Sequence, residues 1–421
     1  MKKNKKLQLG MVVALCSCIS TSINASPVLG YHPNAIDVEN ASTIKKSSLK
    51  KKDNKNLSIV VNDNFSIIPS ASLTFFGTHV NQKDGNKTND LPVFMHAGNM
   101  SLNFKHTQNS LVYGAVLSLK TNVSSNMSSS TFVYLDSKDY GRLELGSNSS
   151  ASDQLYISGD SLAPTSSKIF YLYKQYPLNT TFITSHSSML ESSVQSYLGE
   201  KSRKITYFSP EMSGIKLGIS YIPDVKNSGT TDHPVKKQEE YSAYNTRTIN
   251  PTNAFSGGVK YANGIGDIKF KISGIAEYCS KTNSSQDENE KPYENYFSWG
   301  LGAGLNLSDM EISAGFTNWG KSFTDTKRID NNSSQLYTLG VRKFINKTMS
   351  VSGIYGHSST LGNSMNRIIV GADTQLAPYL FLSASGTYYS YEAKQNDLAN
   401  KNEKDNKYDN FMFMLSISLK M

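Results

Sequence analysis

From about Phe65 onward, large apolar residues recur at every second position in short segments. In Leu111-Val-Tyr113-Gly-Ala115-Val-Leu117-Ser-Leu119 the odd positions carry the large groups. In Ile215-Lys-Leu217-Gly-Ile219-Ser-Tyr221 the opposite face is polar or small, and Ile268-Lys-Phe270-Lys-Ile272 alternates apolar residues with lysine. The chain closes in the same style, with Phe411-Met-Phe413-Met-Leu415-Ser-Ile417-Ser-Leu419. A period of two belongs to a strand with one face in an apolar medium. The pattern predicts sixteen strands, at 65–79, 94–106, 110–121, 130–136, 139–147, 202–209, 213–223, 254–262, 267–279, 294–306, 310–320, 334–344, 349–358, 366–376, 379–391 and 410–420.

The connections carry more information than the strands. Short turns at 107–109, 137–138, 210–212, 263–266, 308–309, 345–348 and 377–378 alternate with longer polar links at 80–93, 122–129, 148–201, 224–253, 280–293, 321–333, 359–365 and 392–409. Short turns at one end and long loops at the other, with an even strand count, are the asymmetry of outer-membrane barrels. A soluble sandwich has no reason to keep that alternation through eight hairpins. The fold class predicted is all-β, a 16-stranded antiparallel transmembrane β-barrel spanning 65–421.

Ahead of the pattern, Lys2, Lys3, Lys5 and Lys6 precede an apolar stretch from Leu7 to Ile19 and a small-residue exit at Asn24-Ala25-Ser26. This is the layout of a secretory signal over residues 1–25, too short to span a bilayer as a helix. Leu15-Cys16-Ser17-Cys18 also allows a lipoprotein reading, with Cys18 acylated. Residues 26–64 are rich in Lys, Ser and Asn without apolar periodicity, which predicts a disordered basic extension. Contact with peptidoglycan or lipid headgroups is the competing reading of its lysines.

Charge changes the picture less than the formal +9 suggests. Ten Lys and three acidic residues fall within 1–56, leaving 33 basic and 31 acidic residues beyond them. So even a balance in the folded part speaks against a nucleic-acid partner, whose basic patch belongs in the domain itself. Cys279 alone remains after the signal, which excludes an intrachain disulfide and a cysteine-rich metal site and suits an oxidising compartment. No metalloprotease, nucleophile-elbow or phosphate-cradling motif occurs, and the seven His are scattered. The expectation is a protein that is not an enzyme and has no cofactor or metal.

Three stretches carry a family resemblance. Tyr140-Gly-Arg-Leu-Glu-Leu-Gly146 resembles the aromatic-Gly-Arg-x-Glu-x-Gly strand that precedes the constriction loop of Gram-negative general-diffusion porins, in an alphaproteobacterial branch. Ile205-Thr-Tyr-Phe-Ser-Pro210 with Gly214-Ile-Lys-Leu-Gly-Ile-Ser-Tyr221 is similar to the hairpin after that loop, and Gly371-Ala-Asp-Thr-Gln-Leu-Ala-Pro378 to the last periplasmic turn. Two features depart from the family. The chain ends Leu419-Lys-Met421, where the family ends in an aromatic residue read by the barrel-assembly machinery, and its N-terminal extension is longer.

The resemblance implies an outer-membrane channel for passive diffusion of small hydrophilic solutes and ions, assembled as a homotrimer in outer-membrane lipid. It makes 148–201 the third extracellular loop, folded into the barrel to narrow it. The candidate constriction residues are then Asp153 and Asp160 on the loop, faced by inward cations. Arg142, beside Glu144, is the foremost of these, and alternation adds Lys105, Lys120, Lys216, Lys269, Lys271, Arg342 and Arg367. Such opposed charges orient dipolar solutes and reject apolar ones. The cations outnumber the loop acids, a lean toward anions that inward Asp373, Glu277 and Glu311 offset. Tyr113, Tyr207, Tyr221, Tyr261, Tyr296, Phe316, Trp319, Tyr337 and Tyr355 are expected in aromatic girdles. A surface adhesin or antigen on the same barrel is the alternative function, and a substrate-specific channel, revealed by saturable flux, is a third.

Overall fold

The computed structural model describes residues 59–62, 64–82, 93–121, 130–168, 202–225, 252–280, 295–322, 333–360, 363–392 and 407–421. The signal segment, most of the N-terminal extension and residues 169–201 of the long link lie outside them. Seventeen strands are present among the described residues. A short β1, Ile59–Asn62, precedes β2 (Phe65–Gln82), β3 (Val93–Gln108), β4 (Leu111–Thr121), β5 (Ser130–Ser137) and β6 (Gly141–Ser147). After the long link come β7 (Arg203–Phe208), β8 (Ile215–Asp224), β9 (Thr252–Ile265), β10 (Ile268–Ser280), β11 (Tyr296–Asn306) and β12 (Met310–Gly320). The last five are β13 (Ser334–Phe344), β14 (Met349–Thr360), β15 (Asn363–Ala377), β16 (Leu380–Glu392) and β17 (Lys407–Lys420).

Strands β2 to β17 pair antiparallel in sequence order, and β17 pairs back onto β2 with Leu415 opposite Gly77. The sheet is thus a closed barrel of sixteen strands, all at the positions the alternation predicts. Closure removes the two free edges that an open sixteen-stranded sheet would present, the condition for a sheet to stand in hydrocarbon. The seam ends where Met421 and Ala71 exchange backbone hydrogen bonds at 2.8 and 3.0 Å.

Below the seam, the edge of β2 is taken up by β1, with Ile59 opposite Ile67. Its four residues fall within 26–64 and take up ladder groups of β2 that β17 does not pair.

Alternation sorts the faces as expected. Phe75, Leu301 and Val370 are more than half exposed on the outside, whereas Ser220, Ser256, Ser298, Thr317 and Ser416 on the inside are buried. An exposed apolar belt of this extent is unsustainable in water and is satisfied by lipid. The turns are short because the backbone goes left-handed where needed: Gly141, at φ +81°, reverses the chain into β6 where a Cβ would meet the backbone of Phe208–Pro210.

Two of the girdle aromatics point the other way. Tyr296 and Trp319 are inward and buried, packed with Ile222, Ala254, Cys279 and Leu336 near the long-link end. Both share their strand's inward parity, which the general enrichment of aromatics at strand ends does not reveal. Outside, Phe316 stacks with Tyr337 at 4.8 Å and with Trp299 at 5.2 Å between centroids, and Tyr221 with Phe255 at 5.2 Å.

Candidate functional site

After β6 the chain turns into the barrel. Residues 148–168 run along the inner wall as a helical turn α1 (Ala151–Leu155), a 3-10 turn (Gly159–Leu162) and a second helical turn α2 (Thr165–Lys168). Such short turns leave many N–H groups without intrahelical partners, and the wall supplies acceptors strand by strand. The N–H of Ala151 donates to Ser220 on β8 at 2.8 Å, that of Ser152 to Ser256 on β9 at 3.1 Å, and that of Ile157 to Ser273 on β10 at 3.0 Å. Further round, Gly159 donates to Thr338 on β13 at 3.0 Å, Thr165 to the Asp373 carboxylate on β15 at 2.9 Å, and Ser166 to Ser383 on β16 at 2.9 Å.

Inward glycines make the bed for this segment. A Cβ on Gly302 would collide with the carbonyl oxygen of Ile157, and one on Gly340 with that of Gly159. A Cβ on Gly218 would stand 2.9 Å from Leu155, and one on Gly371 2.7 Å from Pro164. The segment is therefore strapped flat to the β8–β16 side and does not bridge the opening over these residues.

Charged groups fasten it. Arg142 donates to Glu144 at 2.6 Å and to Asp136 at 3.4 Å, with its guanidinium 4.4 Å from the centre of the Tyr134 ring. The second oxygen of Glu144 accepts from Asn148 at 2.5 Å, and Lys204 donates to the Asn148 carbonyl, so the strap's first residue is held on two sides. Glu277, 1 % exposed, accepts from Ser152 at 2.6 Å and from Tyr296 at 3.0 Å. At the far end Arg367 donates to Asp160 at 2.5 Å, and Arg342 reaches Glu311 at 3.5 Å and the Ala163 carbonyl at 3.4 Å. Between these points Tyr156 accepts from Thr317 at 3.0 Å, and burial pushes its phenol up to about 12.

The sequence candidates other than Lys120 can be placed in this arrangement. Asp160 and Arg367, expected to oppose each other across an opening, are in direct contact on one wall. Arg142 with Glu144, and Arg342, anchor the strap. Asp153 is half-buried in α1. Lys105, Lys269 and Lys271 point inward and remain accessible, while Lys216 lies 5.2 Å from the Phe208 ring centre. The Lys120 side chain lies outside the described residues. Sequence reading missed Lys260, Asp136, Tyr156 and the Ser/Gly bed. Its one legible signal is the run of small residues at every second position, as in Ser383-Ala-Ser385-Gly-Thr387.

Among the described residues, the strap makes its wall contacts on β8–β16 and leaves the inner face of β2–β4 uncovered. Ser66, Ser70, Ser72, Thr74, Asn99, Ser101, Asn103 and Ser118 are all half-buried there. They are linked by side-chain bonds such as Ser70 to Ser101 at 2.6 Å and Ser118 to Asn99 at 3.0 Å. A hydroxyl- and amide-lined wall facing a strapped loop is a surface that water and hydrophilic solutes wet.

Comparisons with known proteins agree with this architecture. The family model described as Gram-negative porin matches residues 70–394. An uncharacterized protein of Rickettsia bellii is 26 % identical over 333 residues, covering 68 % of this chain and 76 % of that one. An uncharacterized protein of Rickettsia prowazekii is 25 % identical with the same coverages. Among solved structures, an anion-selective porin from Comamonas acidovorans superposes with a TM-score of 0.54 at 15 % identity, covering 85 % of this chain and all of that one. A loop-deletion mutant of OmpT, an outer membrane protein of Vibrio cholerae, superposes with a TM-score of 0.53 at 10 % identity, with the same coverages. At these identities the structural likeness concerns the fold.

Proposed function

The chain belongs to the Gram-negative porin family and is a porin-type outer-membrane channel, and from that premise we propose that it carries small hydrophilic solutes and ions across the outer membrane by passive diffusion. The observation that supports this reading is the division of the lumen. The strap is fastened along β8–β16, and the polar β2–β4 wall is left accessible among the described residues. No chemistry is required of such a wall, and none of its side chains is arranged as a nucleophile with a base.

Export by the N-terminal signal and insertion through the assembly machinery follow from this location. In that orientation the short turns face the periplasm and the long links face outward. Assembly as a homotrimer is part of the proposal. Strands β6 and β7 have seven and six residues, fewer than the roughly 9–11 that a strand needs to cross hydrocarbon. A neighbouring copy on that side supplies the missing height.

Single-channel recording of the refolded protein in planar bilayers tests the reading. Stepwise conductance, in threes for a trimer, is expected. A heat-modifiable barrel that passes no current overturns it in favour of an adhesive surface role.

A further inference from the structure

Register sets one band of outward residues across six strands at the long-link end of the barrel. Phe316 on β12 is opposite Tyr337 on β13, and Tyr337 is opposite His357 on β14. Asn366 on β15, Ser390 on β16 and Asp409 on β17 continue the band by the same direct pairing. Tyr337 is exposed, which fixes the band on the outer face. One rung nearer the short turns lie Tyr355, Ile368, Tyr388 and Phe411, and one rung further Val341 and Val370, all exposed. The outer wall thus passes from aliphatic to aromatic to polar within three rungs, the gradient of a membrane interface.

The polar groups of the band are ordered by one another. Oδ1 of Asn366 accepts from the Tyr355 hydroxyl at 3.0 Å and from Nδ1 of His357 at 2.9 Å. These bonds use neither the amide nitrogen of Asn366 nor Nε2 of His357. The Tyr388 hydroxyl bonds to Asp409 and Ser390, and that of Tyr337 donates to Gln335 at 2.9 Å. Beside them the Phe316 ring stands between those of Trp299 and Tyr337, and the rings of Tyr337 and His357 lie 6.2 Å apart. The band and the rung below it contain no Lys or Arg, and in the rung above, Lys407 is opposite Glu392.

This chemistry selects among headgroups. A phosphate calls for Arg or Lys donors, and here it would meet the Asp409 carboxylate. A sugar ring suits the band better. Its hydroxyls donate and accept, which matches amide, imidazole, hydroxyl and carboxylate partners, and its C–H face packs on aromatic rings. We propose that the outward band on β12–β17 docks the uncharged sugar headgroup of an outer-leaflet lipid. Ile368, Tyr388 and Phe411 adjoin the band on its hydrocarbon side, so the sugar is one carried on acyl chains that lie along the aliphatic wall below. The inference rests on the outer-membrane placement of the barrel and not on solute flow.

Trp299 reports on the band, because it is outward and the other tryptophan, Trp319, is buried inside. The mature protein in phosphatidylcholine nanodiscs receives either a monoglucosyl diacylglycerol or phosphatidylglycerol, each with brominated acyl chains. Quenching of Trp299 is read in Trp319→Phe protein, and in protein retaining both tryptophans should that exchange unsettle the inner cluster. The glucosyl lipid is expected to half-quench at a mole fraction about fivefold below that of phosphatidylglycerol. His357→Leu/Asn366→Leu is expected to remove that difference, with Asn366→Leu alone as the second variant if heat modification shows the double one unfolded. Equal quenching by both lipids in wild type overturns the proposal, and stronger quenching by phosphatidylglycerol overturns it in favour of a phosphate-bearing headgroup. A preference for the glucosyl lipid that survives the substitutions overturns it as well. Current recorded from the same proteins in planar bilayers is expected to be unchanged by these substitutions, so the diffusion reading stands or falls separately.

Discussion

The guanidinium of Arg367 and the carboxylate of Asp160 meet at 2.5 Å on the inner wall, 3 % and 10 % exposed, tying β15 to a loop residue 207 positions earlier. Removing one member of a buried pair leaves the other charge without compensation, at a cost of about 3–5 kcal/mol. Asp160→Ala and Arg367→Ala are each expected to free the strap, read as new protease cleavage within 148–168 and a lower temperature of heat modification. The double variant Asp160→Ala/Arg367→Ala should cost clearly less than the sum of the two single losses, and additive losses in this cycle would show that the pair does not hold the loop.

The glycine bed makes a steric prediction. Gly302→Ala and Gly340→Ala each drive a methyl into a strap carbonyl, and overpacking of this kind costs about 1–3 kcal/mol. The strap should lift and the channel current become noisier while the barrel still forms. Gly353→Ala, where a Cβ meets nothing within 4 Å, is the matched neutral control in the same recordings.

Tyr156 sets an alkaline limit on strap packing. Its phenol is pushed up to about 12 by burial, against an ordinary value of 10.0. The neutral form is favoured in the folded state, so its contribution is complete below pH 10 and is lost as pH rises toward about 12. The difference in tyrosinate absorbance between wild type and Tyr156→Phe should show one phenol titrating near the upper value. A difference curve centred at pH 10 would mean that Tyr156 is solvated.

Cys279 is wholly buried between Ile222, Tyr296 and Trp319. In protein beginning at Ser26 it is the only thiol, and maleimide should label it only after heat has opened the barrel. Rapid labelling of the unheated form would show that the inner apolar cluster is accessible from the lumen.

Much of this architecture is legible in the residues. All sixteen barrel strands follow from apolar alternation, because a strand between lipid and a polar interior must alternate or leave one face in the wrong medium. The same parity places Lys105, Lys216, Lys269 and Arg342 on the inner face without coordinates. Alternation states which face a residue joins, but it is silent on height along the barrel and on neighbours. Tyr296 and Trp319 lie on the inward parity of their strands, so alternation itself sets them away from lipid, whereas the general enrichment of aromatics at strand ends does not.

What the tertiary structure decided concerns residues far apart in the chain. Asp160 meets Arg367 because closing the barrel brings β15 beneath the loop that follows β6. Lys260 lies opposite Lys216 only through the register between β8 and β9. Ile59–Asn62 pairs with Phe65–Ile67, a stretch of β2 that β17 does not reach. The sequence by itself determined the strands, their faces and the alternation of short and long connections, since these depend on local chemistry at a period of two. Pairing across the lumen depends on register and closure, which are properties of the assembled sheet and are written in no single segment.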